Sequence, residues 1–167
     1  KIMYQNKIVL GSAQFGNKYG ISNKSGILKK NECFKILKFC YKKKIHFIDT
    51  ANNYGESEKI IGSYLKNFYK QKWNIATKIN LSKTDQIELQ IKNSIKKLGK
   101  PPSILYFHYF NEYLNKDKRN IVFSLCKKYK IKKIGVSIHK IKDIKKISLL
   151  KNISVIQIPI NILDQRF

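Results

Sequence analysis

The sequence predicts an α/β protein built around a parallel sheet, and three observations carry that expectation. Short apolar runs recur along the chain, longer amphipathic stretches separate them, and one such stretch stops at Gly99-Lys100-Pro101-Pro102. Alternation of this kind marks successive βα units, whose strands are covered on both faces and therefore read as continuous apolar segments. One helix between each pair of strands suits a doubly wound sheet or a barrel, and periodicity does not separate the two.

Six runs qualify as strands: residues 8–13, 46–50, 73–78, 103–109, 133–138 and 154–160. They are rich in the β-branched and aromatic side chains that suit buried strands. Between the first two, Cys33, Phe34, Ile36, Leu37, Cys40 and Tyr41 recur at spacings of three and four, an apolar stripe above a lysine face. Similar stripes define a second helix (Ile60, Ile61, Tyr64, Leu65, Phe68), a third (Ile87, Ile91, Ile95, Leu98), a fourth (Ile121, Val122, Leu125, Tyr129) and a fifth (Ile144, Ile147, Leu150). Gly99 ends the third with a residue that tolerates positive φ, and the prolines behind it block continuation. Asn53 and Glu56 have the spacing of a capping box at the start of the second helix. With no linker, low-complexity tract or repeat beyond the βα alternation, residues 1–167 read as one domain.

A chain of 167 residues with 43% hydrophobic content can bury a substantial core, which argues against disorder. Its formal charge of +25, from 35 basic against 10 acidic residues, raises nucleic acid or an acidic membrane as partners. Only Arg119 and Arg166 are arginines, however, whereas bidentate reading of phosphate and guanine favours guanidinium. The lysines are spread through every helix, so a solvated basic surface is expected and no specific nucleic-acid partner. Cys33, Cys40 and Cys126 form no CxxC pair and read as small core residues, with neither zinc site nor disulfide framework. No apolar run approaches the roughly 20 residues of a bilayer span, and no signal-peptide stretch is present. The expected location is cytoplasmic, with no membrane partner.

The most informative segment runs from Phe47 to Glu58, where a buried strand ends in Asp49 and passes through Tyr54 into a helix. Active sites of α/β proteins are built at the carboxyl ends of parallel strands. Lys78 closes the third strand there, and His108 lies in the fourth. Together they suit carbonyl reduction: a carbonyl accepting hydride develops negative charge on oxygen, and Tyr54 can donate the proton. Lys78 is expected to make that phenol a readier acid, Asp49 to hold the ammonium and compensate its burial, and His108 to orient the carbonyl.

Asp, Tyr, Lys and His in this order on successive strand ends resemble the catalytic tetrad of the aldo-keto reductases. Leu10-Gly11-Ser12-Ala13-Gln14-Phe15-Gly16 resembles that family's first-strand motif, and residues 47–62 its second-strand signature. Ile134-Gly135-Val136-Ser137 resembles its fifth strand and Val155-Ile156-Gln157 its sixth. The resemblance implies a (β/α)8 barrel and an NAD(P)H-dependent reductase of aldehyde, ketone or sugar carbonyls, with NADP as cofactor, NAD as the other candidate, and no metal. It makes Ser137 and Gln157 partners of the nicotinamide carboxamide and lays Gly11, Ser12 and Ala13 beneath the ring and its ribose, with Asp49 beside them. Tyr19, Trp73, Phe110 and Tyr113 are aromatic candidates for lining the pocket.

Two departures stand out. Many members of the family carry Asn after the fifth-strand serine, where this chain has Ile138 followed by His139; His139 and His46 read as structural or solvated. A full barrel of this type needs about 250 residues, so the chain is expected to be a fragment covering roughly the first six βα units. Its first and sixth strands would then be unpaired edges, and a non-catalytic barrel acting as a binding or regulatory subunit is the alternative function. The sequence leaves the particular substrate and the oligomeric state open.

Overall fold

The computed structural model describes residues 7–81, 86–146, 150 and 152–167. Six strands form one sheet: β1 (Leu10–Gly11), β2 (Phe47–Asp49), β3 (Asn74–Ile79), β4 (Ile104–Phe107), β5 (Lys133–Ser137) and β6 (Val155–Gln157). They lie in the order β1-β2-β3-β4-β5-β6 and every pairing is parallel. This order settles the question that periodicity left open. A doubly wound sheet reverses its strand order partway, whereas a barrel adds each strand beside the last.

The helices are α1 (Ala13–Gly16), α2 (Lys30–Lys42), α3 (Ser57–Asn67), α4 (Ile87–Leu98), α5 (Phe110–Leu114), α6 (Lys116–Lys128) and α7 (Ile141–Ile144). The long ones coincide with the apolar stripes. Of the fifth stripe only Ile144 falls within α7, and Ile147 lies outside the described residues. Two short helices carry no stripe and were not expected. Each begins directly beyond a strand end, where the chain turns away from the sheet and the strand is shorter than its apolar run. The first strand stops at Gly11 because Ser12 turns into α1. The fourth stops at Phe107 because Tyr109 begins α5, its amide donating to the Glu112 carboxylate at 3.1 Å.

Strand side chains alternate between two surfaces. Ile48 and Ile75 point outward into a cluster with Leu37, Ile61, Tyr64 and Trp73 beneath α2 and α3. Ile79, Leu105, Phe107 and Val136 point outward under α4, α5 and α6. The opposite, concave surface carries a smaller apolar layer of Phe47, Ala76, Ile104, Tyr106 and Val155. Of the four aromatics proposed for the pocket, Trp73, Phe110 and Tyr113 belong to the outer clusters instead, buried against helices.

The expected capping box does not form. Helix α3 begins at Ser57 with no side-chain capping bond, and Glu56 pairs with Lys59 at 2.9 Å on the surface. Gly55, in the left-handed region at φ 51°, turns the chain between Asn53 and the helix, and the Ser57 hydroxyl is drawn into the interior. The three cysteines are buried free thiols, and burial pushes Cys33 up to about 11 and Cys126 up to about 12, which suppresses the reactive thiolate.

At the sheet margins Ile8 and Val9 beside β1, and Ile160, Ile162 and Leu163 beyond β6, are exposed. Among the described residues β1 and β6 each pair on one side only.

Gly99 follows α4 at φ 74°, its amide donating to Ile95 O. Alanine there must adopt a left-handed backbone, so Gly99→Ala should lower the unfolding free energy by about 1–2 kcal/mol, read as a lower urea midpoint with an unchanged slope.

Candidate active site

The alternation that sends Ile48, Thr77 and Phe107 outward sends Asp49, Lys78 and His108 inward, onto the concave side at the carboxyl ends of their strands. Gly11 is in register with Asp49 on β1 and β2, and Ser137 with Gln157 on β5 and β6. As a result Gly11, Ser12, Ala13, Asp49, Tyr54, Lys78, His108, Ser137 and Gln157 all border one cleft of about 300 Å³. Tyr19, His139, Ile158 and Pro159 complete its wall. A larger groove of about 950 Å³ between α3 and α4 is lined by Lys59, Lys66, Lys96, Lys97 and Lys100 and holds none of these acid–base groups.

The Lys78 ammonium is 3% exposed and donates to both Asp49 oxygens, at 2.7 and 2.6 Å, and to Thr50 O at 3.0 Å. Three acceptors match its three protons. Burial pulls its pKa below the ordinary lysine value, while the charge and hydrogen bonds of Asp49 oppose that fall. The ammonium also lies 5.2 Å from the centre of the Tyr54 ring.

Tyr54 rides on the loop between β2 and α3. Its amide donates to Ala51 O at 3.1 Å and its carbonyl accepts from Ser57 N at 3.0 Å. The α1 end packs tightly on this loop: a Cβ on Gly16 would stand 1.9 Å from Tyr54 O. Beneath it lies a buried hydroxyl cluster. Ser57 Oγ is 2.8 Å from Ser12 Oγ and 3.0 Å from Thr50 Oγ1, and Ser12 Oγ donates to Asp49 O at 2.9 Å. Ser12 thus borders the cleft with its hydroxyl already engaged. Behind Lys78, Thr77 Oγ1 donates to buried Glu58 at 2.7 Å, tying β3 to α3.

The charge of Lys78 does not acidify Tyr54 here. Burial pushes the phenol up to about 12, and the Asp49 carboxylate adds to the rise. Both effects favour the protonated phenol. His108 moves the other way: burial, then the Lys78 charge and His139, push it down to about 4, which keeps its imidazole neutral. Its Nδ1 is buried and has no hydrogen-bond partner among the described residues. Tyr54 meets His108 edge-on at 6.4 Å between ring centres.

Sequence reasoning overlooked the Ser57, Thr50 and Glu58 support, although the polar residues of the segment from Thr50 to Glu58 gave the signal. His139, read as structural or solvated, is indeed exposed to solvent, and it also lines the cleft and bonds Ser137 at 3.1 Å. His46 does serve packing: its ring stacks on Tyr41 at 4.3 Å.

Residues 7–167 match the Aldo/keto reductase family. The chain belongs to that family. Among solved structures, a Pseudomonas aeruginosa protein assigned to the aldo-keto reductases matches with TM-score 0.77 at 20% identity, over 95% of this chain and 64% of that one. An aldo-keto reductase of Klebsiella pneumoniae in complex with NADPH matches with TM-score 0.69 at 14% identity, over 89% of this chain and 52% of that one. Another from the same organism, in complex with NADP and acetate, gives 0.64 at 15% identity, over 82% and 47%. The chain therefore spans less than two thirds of these structures, and its six parallel strands form part of a (β/α)8 barrel of aldo-keto reductase type. No curated protein matches the chain, and no helix among the described residues is long and apolar enough to cross a membrane.

Asp49→Asn removes the counter-charge while keeping the shape, and should cost about 3 kcal/mol of unfolding free energy. Adding Lys78→Met should recover much of that loss in a denaturation double-mutant cycle. For His108 the folded pKa lies below the unfolded value of about 6.5, so its contribution to stability is complete above that pH and is lost as pH falls toward 4. Ring-carbon NMR should show His108 still neutral at about pH 5.5, between those two values, and protonation at that pH would contradict the geometry.

Proposed function

We propose that this chain carries the acid–base machinery of an NADPH-dependent reductase of aldehyde, ketone or sugar carbonyls. One observation carries the reading: a buried Lys78–Asp49 pair lies under Tyr54 in a cleft that also holds His108. The Klebsiella relatives in complex with NADPH and NADP support the choice of cofactor over NAD.

The cleft has a shape and polarity that fit a nicotinamide. Where a side chain at Gly11 would project there is open space, with nothing within 4 Å. Polar Ser137 and Gln157 lie across the cleft in register with each other. Gly11, Ser12 and Ala13 would lie under the ring and ribose, and Ser137 and Gln157 would hold the carboxamide. When bound, the reduced cofactor supplies the hydride.

The chain's own residues then manage charge on the substrate oxygen. Neutral His108 offers one N–H to orient the carbonyl and stabilise the negative charge that develops on it. Tyr54, fully protonated at neutral pH, gives its proton to that oxygen, a far stronger base than the carbonyl it came from. The resulting phenolate is the species that Lys78 stabilises, because its ammonium is already in place and needs no reorganisation. Asp49 keeps that ammonium charged against the pull of burial.

The test is NADPH and NADH oxidation by the intact gene product containing this chain, against a panel of aldehydes and sugar carbonyls. Tyr54→Phe should lower kcat by about 10²–10⁴ while NADPH binding persists. Absence of both turnover and cofactor binding in the wild type would sink the proposal, and binding without turnover would favour the binding-subunit alternative.

A further inference from the structure

We infer that His139 is a positioning residue for the cofactor, acting through the hydroxyl of Ser137; the inference rests on the reductase reading above. Ser137 closes β5 with its side chain inward and 3% exposed. A buried hydroxyl must be hydrogen-bonded or bear a desolvation cost. Its bond is to His139 Nε2, at 3.1 Å.

The backbone explains why these two side chains meet. Strand alternation continues past the end of β5: Ile138 is wholly buried on the outer, helix-covered side, and its amide donates to Gln157 O at 2.9 Å. Position 139 therefore returns to the side of Ser137, and His139, though solvent-exposed, joins Tyr54 and His108 in the cleft wall. A second contact steadies the ring. Tyr109 packs on His139 at 5.9 Å between centres and stacks on His108 at 4.8 Å. The two imidazoles thus share one aromatic neighbour across the ends of β4 and β5.

The bond restricts what Ser137 can present. A neutral imidazole nitrogen is either donor or acceptor. If His139 donates, the serine O–H is free to turn into the cleft toward a carbonyl oxygen. If His139 accepts, the serine lone pairs face the cleft toward an amide N–H. Either arrangement constrains the hydroxyl and decides whether it can still donate toward the cleft or only accept. A carboxamide, with both an oxygen and an NH₂ group, satisfies either one. Histidine therefore sets the hydroxyl before the ligand arrives, which lowers the ordering cost of binding.

The experiment measures NADPH affinity by fluorescence titration of the intact gene product and of its Ser137→Ala, His139→Phe, His139→Gln and Ser137→Ala/His139→Phe variants. Phenylalanine keeps the ring contact with Tyr109 and removes the nitrogen. His139→Phe should weaken NADPH binding about threefold to tenfold, the size of one hydrogen bond. Glutamine should restore most of the loss. Because His139 acts through Ser137, the double variant should bind no more weakly than Ser137→Ala alone. Wild-type affinity in His139→Phe, or losses that multiply in the double variant, would overturn the inference while leaving the reductase reading intact. A wild type that binds no NADPH overturns both.

Discussion

A lysine ammonium kept inside the protein is the constraint on which the rest of this site depends. Isolated in a low-dielectric interior such a charge costs several kcal/mol, and Lys78 is nearly inaccessible to water. Three acceptors offset that cost, two from Asp49 and one from the Thr50 carbonyl. All of them belong to the end of β2 and the residue after it. The β2–β3 register is thus fixed electrostatically as well as by the ladder, since a slip of one residue would turn Asp49 or Lys78 outward into the helix layer. The surroundings reinforce the same register: Thr77 anchors β3 to Glu58 of α3, and the Ser12–Ser57–Thr50 hydroxyls hold the chain on either side of Asp49.

The ion pair determines the protonation states of its neighbours in a way that charge counting on the sequence misses. A lysine beside a tyrosine suggests an acidified phenol, yet burial first, and then the Asp49 carboxylate, raise Tyr54. The phenol rests protonated. The same burial removes the proton from His108. On the proposed reading one residue is thereby a proton donor and the other a neutral hydrogen-bonding group, two roles separated by environment in a single cleft.

The strands were legible because each is a buried apolar run, and the inward placement of Asp49, Lys78 and His108 followed from strand alternation once the ends were located. Helices α2, α3, α4 and α6 were legible for the analogous reason, an apolar stripe at helical spacing. Barrel against doubly wound sheet was not legible from periodicity, because strand order is a property of pairing between distant residues; the family resemblance supplied it and the observed β1-to-β6 order agrees. Short helices α1 and α5 lack enough turns to display a stripe. Trp73, Phe110 and Tyr113 were placed near the pocket by their nearness to strand ends, but Trp73 is one residue before β3, at the opposite end of the strand from the cleft, and the other two belong to an outward-packed helix. The role inferred for His139 was hidden because it depends on the chain continuing to alternate beyond β5, which no local pattern announces.

The open margins of the sheet bear on the site asymmetrically. The acid–base residues Asp49, Lys78 and His108 stand on β2, β3 and just after β4, each flanked by paired strands on both sides. Gly11 stands on β1 and Gln157 on β6, each of which pairs on one side only among the described residues. An edge strand has half the ladder bonds of an interior one and opens locally at lower free energy. The residues proposed for proton chemistry therefore stand where the described sheet is paired on both sides. Where a displacement of about 1 Å would cost most in the proposed catalysis, the proposed acid–base group is preorganised by strands that lie wholly within the described sheet.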